Sequence, residues 1–383
     1  CTEQLVSKAI PYVLLPDNTI LGTNYNISSK KIGDTINTLK NRQNPDGSFA
    51  LWPTGTDHST DKGNAELTAY VVHFLSMARQ NGFSVPDTML GRAIDFLREF
   101  AGTTITTPEH AHAIAYAIYV LTTNGYVTTS YIDKFQEYAD KNISHWESEI
   151  SGVYIGASFQ IMRQSDRAQE LIQQYKLSKH SSFKYMSAYS NNVSDDATYL
   201  YILNTLFNTP ITYTGNAITG YINRGNYDAF TSAKIVMGLN GAATDNSAPS
   251  SVKILYNDTP LDTHNESNIL IAQVPTPAET LDLECLSCTH DAPLYYALVT
   301  QGFATTASDE SNGIEISRTY YDENGNRIAS AKLGDIVTVK ITCFITTVVF
   351  LRFIMMLLHK TLCIDVNSAK CRRMRSSFRS KWH

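Results

Sequence analysis

A multidomain chain, α-helical first and β-stranded after, is predicted from changes of pattern along its 383 residues. From residue 3 to about 242, apolar side chains recur every three or four positions, broken by short Gly-, Pro- or Asn-rich stretches. That is the period of helices with one or more buried faces. Beyond Gly241-Ala242-Ala243 the period drops to two, the spacing of strands. Composition then changes abruptly after Thr342.

The helical part divides into runs at about 3–14, 31–43, 63–80, 87–101, 108–124, 128–142, 147–163, 165–176, 194–208, 213–223 and 230–240, eleven in all. Thr107-Pro108-Glu109 places a proline in the first turn, where its missing N–H costs nothing, and Ser194-Asp195-Asp196 puts acids at a helix start. The run Ile114-Ala115-Tyr116-Ala117-Ile118-Tyr119-Val120-Leu121 is apolar on more than one side, so this helix belongs inside, packed on both flanks. Strands are expected at 252–256, 269–272, 281–284 and 294–299, then at 313–318 and 333–340. Asn257-Asp258 signals a turn, and Asn324-Gly325 is the pair favoured in tight hairpins.

Charge is uneven. Residues 343–383 carry eight Lys/Arg against Asp365 alone, whereas residues 1–342 hold 23 basic and 35 acidic groups. So acidic a body argues against a nucleic-acid surface, which needs clustered cations. The apolar run 344–358 contains Arg352 and is shorter than the roughly 20 residues that span a bilayer. A reading-frame change is the expectation for 343–383, with a tail anchored in a membrane as the alternative. Cys285-x-x-Cys288 has no second pair or His cluster at ligand spacing, so packing or a local disulfide is expected rather than a metal. No cofactor is expected.

Cys1-Thr2-Glu3-Gln4 is the most informative tetrapeptide. A thiol and a carboxamide three residues apart meet across one helical turn, and with loss of ammonia they close an internal thioester. Such an acyl group awaits a nucleophile, because thiolate leaves readily. The N–H groups and positive dipole end of a helix start favour thiolate over thiol. The plain alternative is a small buried Cys beside a polar helix start.

Four stretches then follow in order: Cys1-Thr2-Glu3-Gln4-Leu5-Val6-Ser7-Lys8-Ala9, the loop Asn44-Pro45-Asp46-Gly47-Ser48-Phe49-Ala50-Leu51-Trp52-Pro53, the helix Glu66-Leu67-Thr68-Ala69-Tyr70-Val71-Val72-His73-Phe74-Leu75, and Gly82-Phe83-Ser84-Val85-Pro86. Together they resemble the thioester-containing domain of the bacterial alpha-2-macroglobulins, relatives of complement. The resemblance implies an (α/α)6 toroid over 1–245, and a toroid needs twelve helices. In the family the thioester Cys follows the first helix, so the twelfth would precede Cys1. It further implies that 246–304 are the second half of a split CUB-like β-domain and 305–342 the start of a macroglobulin-like β-sandwich.

On this resemblance the chain is a fragment of a periplasmic or cell-envelope trap for proteases, an inhibitor rather than an enzyme. Cys1 supplies the thiolate and Gln4 the acyl carbon that captures an amine of the target protease. Any membrane link would be a lipid anchor outside these residues. Phe49 and Trp52 are candidates for shielding the bond from water, with core packing as the plainer role. Some relatives pass the acyl group through a histidine lying about ten residues beyond the loop. His58 falls there, one position off, and a loop histidine without a task is the plainer reading. His73, His110 and His112 are expected to be packed or solvated, and Glu3 has no evident task. The rival from another class is a terpenoid cyclase or prenyltransferase-like toroid, since Gln43-Asn44-Pro45-Asp46-Gly47-Ser48-Phe49 approaches the Gln-x3-Gly-x-Trp staple of the cyclases. The motif occurs once, and the chain lacks an Asp-x-Asp-Asp acid and a prenyltransferase-type zinc set.

Overall fold

A computed structural model of the chain describes residues 1–18, 22–52, 63–178, 189–209, 215–225, 227–240, 252–266, 269–275, 280–285, 298, 314–332 and 335–345. Two compact units are present, Cys1–Tyr295 and Tyr296–His383. Among the described residues the first opens with eleven α-helices: α1 (Thr2–Leu14), α2 (Tyr25–Lys40), α3 (Ala65–Gln80), α4 (Asp87–Ala101), α5 (Pro108–Thr123), α6 (Thr129–Asn142), α7 (Ile150–Ile161), α8 (Ser165–Ile172), α9 (Asn192–Phe207), α10 (Gly215–Arg224) and α11 (Ala229–Leu239).

Several helices start where a side chain caps them. Asn24, Asn64, Thr107, Asn191 and Asp228 accept from first-turn N–H groups of α2, α3, α5, α9 and α11. At α9, Ser194 returns the bond to the Asn191 N–H, completing a capping box two residues ahead of the expected start. α2 begins six residues before its expected start, because Asn24 caps a first turn whose apolar residues, Tyr25 and Ile27, are exposed and lie outside the buried stripe. The single helix expected over 147–163 is broken into a 3-10 turn, Trp146–Ser148, and α7. His145 turns left-handed there (φ 57°), and a Cβ on Gly152 would sit 2.2 Å from the Glu147 carbonyl oxygen.

Odd- and even-numbered helices differ in burial. In α3 every residue from Leu67 to Ala78 is buried, and in α5 every residue from Ala111 to Thr122. α4 and α6 instead bury one stripe: Met89, Leu90, Ala93, Ile94, Leu97 and Ala101 in the first, Ile132, Phe135 and Ala139 in the second. Packing follows the same division. α1 contacts α3, α3 contacts α5, α5 contacts α7, α7 contacts α9, α9 contacts α11, and α11 returns to α1. α2, α4, α6, α8 and α10 each lie against odd-numbered neighbours.

Strands follow. β1 (Val252–Tyr256) pairs antiparallel with β2 (Thr259–Pro260) and with β5 (Leu281–Cys285), while β3 (Thr263–Glu266) pairs with β4 (Ile269–Ala272). Asn257 and Asp258 take positive φ at the β1–β2 turn expected there. The strand expected at 294–299 lies, except for residue 298, outside the described residues. In the second unit β6 (Ile314–Tyr321) pairs with β7 (Arg327–Ile328) across the Asn324-Gly325 turn, and with β8 (Thr338–Ile345). β8 runs three residues beyond Thr342, with Ile345 opposite Ile314. Residues 346–383 lie outside the described residues. No helix among the described residues is long and apolar enough to cross a membrane.

Candidate functional site

Cys1 is the N-cap of α1: its Sγ accepts from the Gln4 backbone N–H at 3.4 Å. A cap bonded to the third helical residue is the capping-box register, in which the third side chain folds back over the cap. Gln4 occupies that third place and is exposed, and Cys1 is half-buried. The dipole end of α1 therefore points at the sulfur and favours its thiolate.

A loop fixes this helix start. The Thr2 N–H donates to the Leu51 carbonyl (2.8 Å), the Thr2 hydroxyl donates to the Ala50 carbonyl (2.7 Å), and Arg42 donates to Thr2 Oγ1 (3.3 Å). The loop is itself heavily determined. Asp46 Oδ1 accepts from the Ser48 N–H and hydroxyl, Gly47 adopts φ 90°, and Arg92 of α4 donates to the Asn44 and Pro45 carbonyls. A Cβ on Gly47 would lie 2.2 Å from the Arg92 carbonyl oxygen, so no other residue fits there. Gln43 Nε2 donates to the Gly47 and Met89 carbonyls, stapling the loop to α4. Phe49 is wholly buried in the main core, its N–H donating to Thr68 Oγ1, while Trp52 is half-buried next to Leu51. His58 lies outside the described residues.

Glu3, which sequence reasoning left without a task, joins the cap. The Cys1 thiol lies 3.7 Å from Glu3 Oε2, and the Ser7 hydroxyl donates to Glu3 Oε1 at 2.6 Å. Ser7 Oγ lies 3.0 Å from the buried Tyr70 hydroxyl of α3. With its own proton on Glu3, Ser7 accepts from Tyr70, so the chain runs Tyr70 to Ser7 to Glu3. Burial pushes the Glu3 carboxyl up, the Ser7 hydrogen bond opposes, and Asp228 adds to the rise. Burial likewise pushes the Tyr70 phenol up, keeping it a neutral donor. A Ser one turn after a motif Glu was the readable signal, but its tie to Tyr70 spans 63 residues.

Deeper in, α11 carries Lys234, 2% exposed, with no hydrogen-bond partner for Nζ among the described residues. The ammonium lies 5.4 Å from the ring centre of Tyr70, 5.2 Å from Tyr116 and 5.6 Å from Phe230. Burial lowers its pKa to about 8, against the pull of Asp195. His73 is buried against Tyr116, Tyr119 and Tyr201, and burial lowers it to about 3. His112, beside Ser151 and Glu66, is lowered to about 4 for the same reason. Both are neutral near pH 7. His110 is half-buried, near Thr103. The acids of α9 are more than caps: Asp196 accepts from the Tyr175 hydroxyl and the Ser178 N–H, and burial pushes Asp195 up to about 7.

Residues 15–189 match the profile of the A-macroglobulin TED domain. The chain is 28% identical over 355 residues to an alpha-2-macroglobulin of Rickettsia conorii, and 26% identical over 363 residues to an alpha-2-macroglobulin homolog of Yersinia pestis. Residues 15–189 thus match an A-macroglobulin TED domain, and most of the chain is similar to bacterial alpha-2-macroglobulins. The chain spans 18% of the length of each of those two relatives, while 89% and 88% of it is aligned to them. Among solved structures, Salmonella alpha-2-macroglobulin mutant Y1175G superposes with a TM-score of 0.69 at 18% identity, covering 90% of this chain and 23% of that one. Native Escherichia coli alpha-2-macroglobulin from domain MG7 to the C-terminus gives 0.65 at 17% identity, over 90% and 55%. At such identities these structures speak for the fold. The profile begins after Cys1 and Gln4, so the tetrapeptide stands on its own geometry.

Proposed function

We propose that this chain carries the acyl-transfer part of a protease trap, a single-use covalent tether rather than a turnover enzyme. The Cys1 thiolate attacks the Gln4 side-chain carbonyl, ammonia leaves, and a thioester joins the two. An amine of a captured protease later attacks that carbonyl, the thiolate leaves, and an isopeptide bond remains. The observation that carries this reading is the cap itself: the Cys1 sulfur accepts from the Gln4 backbone N–H, which puts both residues in one turn, at a helix start locked to the Ala50-Leu51 loop. Relatives supply context. Salmonella alpha-2-macroglobulin has a crystal structure after reaction with methylamine, and structures exist of the Escherichia coli protein activated by trypsin and by porcine elastase.

The cyclic order of contacts through α1, α3, α5, α7, α9 and α11 supports a toroid with these six helices inside. β1 to β5 suit the split β-domain, β6 to β8 the opening of a macroglobulin-like sandwich, and the bacterial relatives suit the periplasm or cell envelope. Trp52, beside the anchored Leu51, is the better placed of the two shielding candidates, since Phe49 is committed to the core. Mixing the native full-length protein with trypsin tests the trap. A covalent, denaturant-resistant adduct is expected, absent from Cys1→Ser. Adduct of equal yield in that variant would refute the role given to Cys1.

A further inference from the structure

We propose that Glu3 is a catalytic residue of the thioester chemistry, the group that takes the thiol proton and returns it, with Ser7 and Tyr70 as positioning residues. The inference rests on the Cys1–Gln4 reading above and assigns the proton that reading leaves unplaced.

Geometry carries it. The two Glu3 oxygens face different partners: Oε2 the Cys1 thiol at 3.7 Å, Oε1 the Ser7 hydroxyl at 2.6 Å. Donors on both oxygens favour the ionised acceptor, the state a base requires, and so oppose the burial that disfavours it. The donor order from Tyr70 through Ser7 fixes its orientation from inside the protein, while the Lys234 ammonium lies over the Tyr70 ring. Charged groups facing this place from neighbouring elements are Arg42 after α2, Asp228 at the start of α11, and Lys234 within it. The raised pKa of Glu3 follows from burial first, and brings the carboxyl closer to the working pH of a proton carrier.

The protons balance. In closure the S–H proton passes to Glu3 as sulfur bonds to the Gln4 carbonyl carbon. Glu3 hands that proton to the departing nitrogen, the carbon–nitrogen bond breaks, and ammonia leaves. In capture an incoming amine bonds to the same carbon and gives one proton to Glu3. The carbon–sulfur bond breaks, and Glu3 returns the proton to the thiolate. No oxidant or further reactant is needed.

The test is methylamine uptake by the native full-length protein, followed by intact mass from about pH 6 to pH 9, in wild type, Glu3→Gln and Ser7→Ala. Glu3→Gln keeps the shape and removes the base. We expect it to lower thioester occupancy or to slow uptake per thioester about 100-fold. Its rate should follow amine protonation alone, whereas wild type should lose additional rate toward the acidic end of the range, since burial raises the Glu3 carboxyl in that direction. Ser7→Ala should slow uptake about tenfold, and decides the matter if Glu3→Gln fails to fold. Wild-type rate and pH profile in a folded Glu3→Gln would overturn this inference and leave the Cys1–Gln4 reading standing. A wild-type protein with no thioester and no uptake would overturn both.

Discussion

The start of α1 and the interior of the helical body both gather polar side chains on odd-numbered helices, with opposite chemistry. At the start of α1, Cys1 is half-buried and Gln4 exposed, and a carboxylate stands beside the sulfur. In the interior, His73, His112 and Lys234 are at most 3% exposed, among tyrosine rings. Burial there disfavours every charge: the histidines are lowered to about 3 and 4, the lysine to about 8. Groups that would be acids, bases or nucleophiles elsewhere are neutralised or unreachable inside. The difference teaches that residue type does not locate the site in this molecule. Orientation together with exposure is the better guide, and the α1 cap combines a sulfur bonded at a helix start with an exposed Gln4.

The largest expected effect separates fold from site. Phe49→Ala should cost about 3–5 kcal/mol of unfolding free energy, because it empties a fully buried aromatic position. Gln4→Ala, at an exposed helix position, should stay within about 0.5 kcal/mol while abolishing any acyl transfer. Denaturant unfolding of the helical body measures both, and a costly Gln4→Ala would erase the distinction.

A smaller effect sharpens the interior half of the comparison. Unfolded, His73 takes a proton near pH 6.5; folded, burial withholds it until about 3. The stability this provides is full above pH 6.5 and is lost as the pH falls toward 3. His112 acts in the same sense toward about 4, while Asp195, pushed up to about 7, stabilises as it protonates. His73→Gln should therefore lessen the loss on acidification, by up to about 1.4 kcal/mol per pH unit. Melting curves from pH 7 to pH 4 with wild-type slope would show that His73 is not held neutral.

Much of the helical body was legible because its signals are local. Asp87–Ala101 coincides with its expected span, since the apolar stripe and the flanking Pro86 and Gly102 lie within one stretch. The Cys1 cap was legible for the same reason: motif and helix start are one tetrapeptide. Signals that depend on distant partners were not. The break before α7 reflects the approach of Gly152 to the Glu147 carbonyl, the early start of α2 a cap on an exposed turn. Lys234 reads as one charge in an apolar helix, and only packing against Tyr70, Tyr116 and Phe230 explains it. Glu3 needed Tyr70, brought from far along the chain, before its orientation had a cause.

The bond between Cys1 and Gln4 is most directly tested by the intact mass of the native full-length protein, before and after methylamine. A mass one ammonia below that encoded is predicted, rising by one methylamine with release of one thiol at Cys1. The encoded mass, a free Cys1 thiol and an unmodified Gln4 in the untreated, folded protein would contradict it.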